Sequence, residues 1–169
     1  PFSFEELGVD AISLSGHKMS GPQGVGALVA RRPILRQLIP QALGGAHEDG
    51  LRSGTYNVAG IAGIGAAACI AADPSTASQL ARLRDQLVAS LTRIDGVAVN
   101  GSGSRLPNTA NVRFRGVPGD ALLARTPAVA ASLGSACHSG AIEPSPTLLA
   151  MGLSREAASE SVRLSVTRF

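Results

Sequence analysis

With 169 residues, 44% of them hydrophobic and 16% charged, the chain can bury a sizeable core and lies outside the composition of a disordered polypeptide. Fifteen basic and twelve acidic residues leave a net charge of +3, scattered singly, which excludes the basic stripe of a nucleic-acid binder. The longest apolar window, Val58 to Ala72, falls short of the roughly 18 to 20 residues of a membrane span; no basic-then-apolar leader opens the chain, and two distant cysteines make no disulfide framework, so a soluble protein of the reducing cytoplasm is expected.

The chain opens on Pro1 and runs at once into an apolar turn-and-strand pattern, which suggests a piece of a longer polypeptide. Val9 to Ser15 alternates apolar and polar positions and predicts a strand, Gly26 to Ala30 predicts a second, and a Gly/Pro-rich turn joins them. Asn57 to Ala72 is rich in alanine, with small residues at Gly60, Gly63, Gly65 and Ala66. This predicts a buried helix packed closely on a neighbour, with Cys69 inside it as a small hydrophobe. Asp73-Pro74-Ser75 interrupts the pattern. Thr76 to Ile94 then carries Leu80, Leu83, Leu87, Val88, Leu91 and Ile94 among polar residues, the signature of an amphipathic surface helix. Shorter units follow at Val97 to Val99 and Thr109 to Phe114, with a helix near Asp120 to Arg125 and a strand near Ala128 to Ser132. Two short helical pieces, Ser145 to Met151 and Arg155 to Glu160, precede a closing strand, Val162 to Val166. Strands alternating with helices predict an α/β or α+β arrangement, with a boundary near Asp73-Pro74.

Fourteen of the fifteen basic residues are arginine; the single lysine is Lys18. Arginine replaces lysine as a surface cation but not as an amine nucleophile, because its guanidinium stays protonated. Lys18 ends Ser13-Leu14-Ser15-Gly16-His17-Lys18, at the C-terminal end of the first strand, where open α/β sheets place their ligand crevice. Two readings stand: a surface lysine beside a polar histidine, or an imine-forming amine with Ser15 and His17 donating to a phosphate. Gly21-Pro22-Gln23-Gly24-Val25-Gly26 lacks the Gly-Lys-Ser/Thr ending of a nucleotide loop and leads into a strand, so its glycines serve close backbone approach around the lysine.

Gly44-Gly45-Ala46-His47-Glu48-Asp49-Gly50-Leu51-Arg52-Ser53-Gly54-Thr55 is a polar loop ahead of the long helix. Thr55 is either an ordinary cap or part of an anion site at that helix's N-terminus. His47, Glu48 and Asp49 are adjacent without a spaced partner, a weak metal signal. Cys137 sits in Gly134-Ser135-Ala136-Cys137-His138-Ser139-Gly140, a run of small residues that suits a thiolate reaching its substrate; a Cys137–His138 hydrolase pair is the competing reading. Arg163, inside the last strand, either faces solvent or clamps a carboxylate.

In order and spacing these motifs together resemble the cysteine desulfurases of iron–sulfur assembly and nitrogen fixation, members of the class V aminotransferase superfamily. The resemblance rests on Ser15 to Leu28, Gly44 to Thr55, Gly134-Ser135-Ala136-Cys137, Glu143-Pro144-Ser145 and Arg163-Leu164-Ser165, and spans essentially the whole chain. It implies fold type I, the aspartate-aminotransferase-like α/β fold, with residues 1–73 as the latter part of the large domain that binds pyridoxal 5'-phosphate. Residues 74–169 would be the small α+β domain carrying the catalytic cysteine.

The resemblance further implies that Lys18 links the cofactor, that Ser15 and His17 hold its phosphate, and that Thr55 reaches the phosphate in the partner subunit of a homodimer. Cys137 would take sulfur from L-cysteine, Arg163 would bind the substrate carboxylate, and a sulfur-acceptor protein would receive the persulfide. No metal, nucleic acid or membrane is implied. Gln23 stands where many relatives carry Lys, and His138 where Ser or Thr is common; the family's acidic partner for the pyridine nitrogen and its stacking aromatic ring belong to a preceding half. Alternatives are a related lyase, such as a selenocysteine lyase, for which Cys137 is the discriminating residue, and a noncatalytic fragment retaining a binding or dimer surface.

Overall fold

The computed structural model describes residues 3–133 and 143–167. A first turn of helix, α1 (Phe4–Leu7), is capped by Ser3, whose hydroxyl accepts the Glu6 N–H at 3.4 Å. Strand β1 (Ala11–Ser15) pairs antiparallel with β2 (Gly26–Ala30), Ala11 opposite Ala30 and Ser15 opposite Gly26. A one-turn helix, α2 (Arg32–Leu35), follows with Pro33 in its first turn, where a missing N–H costs nothing. Neither α1 nor α2 carries enough periodicity to be read from sequence.

Helix α3 (Val58–Ala71) is capped by Asn57, whose side-chain oxygen accepts the Gly60 N–H at 3.0 Å. It packs on the turn between β1 and β2 through small residues. Ala67 is buried, and Gly63 lies so close to Pro22 that a Cβ there would stand 2.5 Å from the ring. The buried helix expected from composition is only partly found: α3 buries Gly60 and Ala67, while Val58 is 71% exposed and Ile61 and Ile70 nearly half exposed. Cys69 is exposed as well, not a buried hydrophobe.

The chain divides into two compact units, Pro1–Pro74 and Ser75–Phe169. Helix α4 (Pro74–Leu91) starts on its proline and leaves Leu80, Leu87, Val88 and Leu91 half-buried on one stripe, with Leu83 exposed. A three-stranded antiparallel sheet of order β3-β4-β5 is built from Val97–Val99, Thr109–Phe114 and Ser161–Ser165. Val112 lies opposite Val162 and both are essentially fully buried; with Ala110, Val99 and Leu164 they share one face of the pleat. Helices α5 (Gly119–Arg125), α6 (Pro146–Ala150) and α7 (Arg155–Ser159) complete the unit, with Leu148, Ala157 and Ala158 in its core.

The strand expected near Ala128 to Ser132 is absent. Thr126 to Val129 instead close a turn, the Val129 N–H donating to the Thr126 carbonyl at 2.9 Å, and only Ser132 reaches the sheet, through a bridge to Arg163. Among the described residues no single helix is long and apolar enough to cross a membrane.

Candidate active site

The first group of site residues lies where β1 gives way to a 3-10 turn, Gly16–Met19. Gly16 is buried, its N–H donating to the Val25 carbonyl and its own carbonyl accepting from Gly21, each at 2.9 Å. The turn ends at Ser20 in the left-handed region (φ 65). With its backbone tied on both sides, the turn holds half-buried Ser15 at the strand end and presents His17 and Lys18 to solvent. The Lys18 amine has no hydrogen bond or ion pair with a described side chain.

Thr55 belongs to the same unit, at the end of the loop before α3. Arg52 Nη1 donates to the carbonyls of Gly54 (2.6 Å) and Thr55 (3.0 Å), and the Ser53 hydroxyl donates to the Ala42 carbonyl at 3.0 Å, so the loop is braced by its own side chains. The residue capping α3 is Asn57, not Thr55, whose hydroxyl stays outside the cap. The His47 ring packs tilted against Tyr56, with centroids 4.4 Å apart at an interplanar angle of 58°, and the Glu48 N–H donates to the Tyr56 hydroxyl at 3.4 Å. Glu48 and Asp49 both take left-handed backbone (φ 53 and 56), an arrangement that local tertiary contacts must enforce. His47 is thus a packing partner of the chain's single tyrosine, and the described residues contain no cluster of three or more His, Cys, Asp or Glu able to hold a metal. Arg52 and Tyr56 escaped the sequence reading because neither repeats with a period.

The second unit carries Arg163 in the middle of β5, opposite Asn111. Its backbone is clamped to Ser132 in both directions, Arg163 N–H to Ser132 carbonyl at 2.7 Å and the reverse bond at 3.2 Å. The side chain is exposed and makes no ion pair with a described residue; with Ala130, Ala131, Ser132 and Ser165 it lines a shallow open hollow. One residue before β5, Glu160 is buried against Arg113 (2.6 Å) and accepts the Gly116 N–H at 2.7 Å. The Gly116 bond, then the Arg113 guanidinium, hold its carboxyl below the usual carboxylate range. Cys137 and His138 lie outside the described residues.

Residues 1–169 match the profile of the family Aminotransferase class-V. The chain belongs to the class-V aminotransferases. A curated relative, "Cysteine desulfurase IscS" of Anaeromyxobacter sp. (strain Fw109-5), is 47% identical over 173 residues, covering 100% of this chain and 43% of its own length. A solved "NifS-like protein" superposes with a TM-score of 0.85 at 34% identity, over 100% of this chain and 44% of that one. "SspA in complex with cysteine" superposes with a TM-score of 0.75 at 30% identity, over 99% of this chain and 47% of the other. The α/β fold is accordingly the fold type I architecture of NifS-like proteins, and the chain spans less than half the length of the relatives it matches. A free primary amine, a hydroxyl and an imidazole on one braced turn form a donor set that fits an aldehyde bearing a phosphate, the chemistry of pyridoxal phosphate.

Proposed function

We propose that this chain belongs to a pyridoxal-phosphate-dependent cysteine desulfurase, converting L-cysteine to L-alanine and an enzyme-bound persulfide. The observation carrying this reading is that the site turn, with its free lysine amine, lies in a chain 47% identical from end to end to part of a cysteine desulfurase. Lys18 would hold the cofactor's aldehyde carbon, and Ser15 and His17 would donate to its phosphate. Thr55, exposed on a loop braced by Arg52, suits a contact with the phosphate held by the second subunit of a homodimer. When bound, pyridoxal phosphate supplies an electron sink beside the substrate's α-carbon.

The chain's own groups do the rest. The Arg163 guanidinium, exposed on a strand bonded to Ser132 through two backbone bonds, would take the substrate carboxylate bidentately and so orient cysteine. The Lys18 Nζ would also carry a proton to or from the substrate. The Cys137 thiolate attacks the substrate sulfur; an S–S bond forms, the C–S bond breaks, and the carbon keeps the electron pair and takes up a proton to leave alanine. The persulfide on Cys137 then passes to a sulfur-acceptor protein, and a reducing cytoplasm is the compartment that suits such a thiol.

The test uses the full-length protein with cysteine and a reductant, following visible cofactor absorbance, alanine and sulfide. Lys18→Ala is expected to abolish the absorbance. Cys137→Ser is expected to keep it while losing sulfide. Undiminished sulfide release from Cys137→Ser would overturn the persulfide route.

A further inference from the structure

A row of polar side chains crosses one face of the sheet β3-β4-β5. The register that sets Val99 opposite Val112 continues one step past β3, where the Asn100 N–H donates to the Asn111 carbonyl at 2.8 Å. Asn111 in turn stands opposite Arg163. Asn100, Asn111 and Arg163 thus share one face, and Ser161, two residues before Arg163, shares it with them.

Proton counting fixes which way the amides of this row face. The Ser161 hydroxyl, essentially fully buried, donates its one proton to the Ala157 carbonyl at 2.6 Å, because a carbonyl can only accept. Its oxygen is left to accept, so Asn100 must offer it an N–H, at 2.8 Å. The second proton of the same Asn100 Nδ2 goes to Asn111 at 2.6 Å, and Asn111 must meet it with Oδ1. The Asn111 Nδ2 therefore keeps its N–H donors without an acceptor among the described residues. Since no buried side-chain polar atom among the described residues lacks a partner, this amide opens to solvent.

Beside it stands a second group that can only donate. Arg163 is exposed, and its guanidinium makes no ion pair with a described residue. Its backbone bonds run to Ser132 and not to Asn111, so 111 and 163 form a non-hydrogen-bonded pair, the kind in which facing Cα atoms stand only about 4.5 Å apart. An arginine beside an asparagine can settle on the amide oxygen, but here Oδ1 is turned to Asn100. Two neighbouring donors with no acceptor between them suit one anion with several lone pairs, and a carboxylate offers about four.

We propose that Asn111 is a second binding group for the substrate carboxylate, its Nδ2 donating beside the Arg163 guanidinium, with Asn100 and Ser161 as the positioning residues that hold the amide in that sense. This rests on the desulfurase reading above. A carboxylate gripped from two strands is fixed in rotation as well as in place, whereas an aminothiol without a carboxylate gains nothing from the pair. Asn111 thereby adds to the preference for cysteine over simpler aminothiols.

The experiment titrates L-cysteine, and separately cysteamine, which lacks the carboxylate, into the full-length, cofactor-loaded protein and follows the visible cofactor absorbance. Asn111→Ala removes the donor. Asn111→Asp keeps an oxygen for Asn100 and places negative charge where the N–H was. The half-saturating concentration of L-cysteine is expected to rise about tenfold to a hundredfold in Asn111→Ala, the range for a lost hydrogen bond to a charged group, and further in Asn111→Asp. Asn100→Ala, which lets the amide turn, is expected to give a smaller rise. Half-saturation by cysteamine is expected to stay near wild type in all three. Wild-type binding of L-cysteine in both Asn111 variants would overturn the inference, as would equal shifts for L-cysteine and cysteamine, the mark of a merely distorted sheet. Wild-type protein whose absorbance does not respond to L-cysteine sinks the desulfurase reading and this inference together; a responsive wild type with unshifted variants sinks this inference alone.

Discussion

Gly63 and Gly65 stand two positions apart on α3, yet they do opposite things. A methyl group at 63 would drive into the rigid ring of Pro22, 2.5 and 2.9 Å from two of its carbons, whereas a methyl at 65 would meet nothing within 4 Å. Gly65→Ala is therefore expected to stabilise by about 0.5–1 kcal/mol through helix propensity and a less floppy unfolded chain. Gly63→Ala is expected to destabilise by about 1–3 kcal/mol as an overpacked contact, less the same propensity gain. Urea midpoints of the two variants measure the difference. If Lys18 holds pyridoxal phosphate as proposed, Gly63→Ala, by disturbing Pro22 beside that turn, is also expected to loosen cofactor retention, read from the absorbance after dialysis. At the same scale, Lys18 stands out in the sequence because it is the one lysine beside fourteen arginines, and the structure puts it on the turn after β1, facing solvent. Both Thr55 and Asn57 can cap a helix, Asn somewhat better than Thr, and the backbone path settles the role on Asn57.

At the scale of an element, β5 carries Arg163, and a polar lattice holds it. Asn100 donates to Asn111 (2.6 Å) and to the Ser161 hydroxyl (2.8 Å), which itself donates to the Ala157 carbonyl at 2.6 Å. Just before it, Glu160 is bound by the Gly116 N–H and Arg113. Its carboxyl titrates below the ordinary value of 4.5, so the folded state holds the charged form more tightly than the unfolded state does. The stability this contributes is fully present above 4.5 and is lost as pH falls from there through the lowered folded value. Glu160→Gln is expected to be less stable near neutrality and to flatten the acid limb of a stability–pH curve measured by urea unfolding. An unchanged acid limb would mean that Glu160 does not set it. Short elements were readable where burial imposed a period: the apolar run of Thr109 to Phe114 and the end of the chain both became strands. Ala128 to Ser132 did not, because Pro127 sets a turn that takes up the Val129 amide before pairing can begin.

For the whole molecule, the two units differ in how much of their apolar surface they cover. The second has a sealed centre at Val112 and Val162, with β4 paired on both sides. The first has a two-stranded sheet whose Leu28 is 54% and Val29 42% exposed. Hydrogen exchange on this chain is expected to show β4 amides as the slowest and those of β1 and β2 exchanging much faster, since protection follows buried contacts. Equal protection of the two sheets would contradict that ranking. By itself the sequence determined the chemistry on offer, since an amine, a thiol and a guanidinium with their neighbours are properties of residue type and spacing. It also determined most of the long or apolar elements, since 3.6- and 2-residue periods are written along the chain. Only the tertiary structure decided that Gly63 meets Pro22, that Asn57 caps α3, and that residues 126–129 turn instead of pairing. These are matters of which surfaces meet, and contacts between residues far apart in sequence leave no period to read.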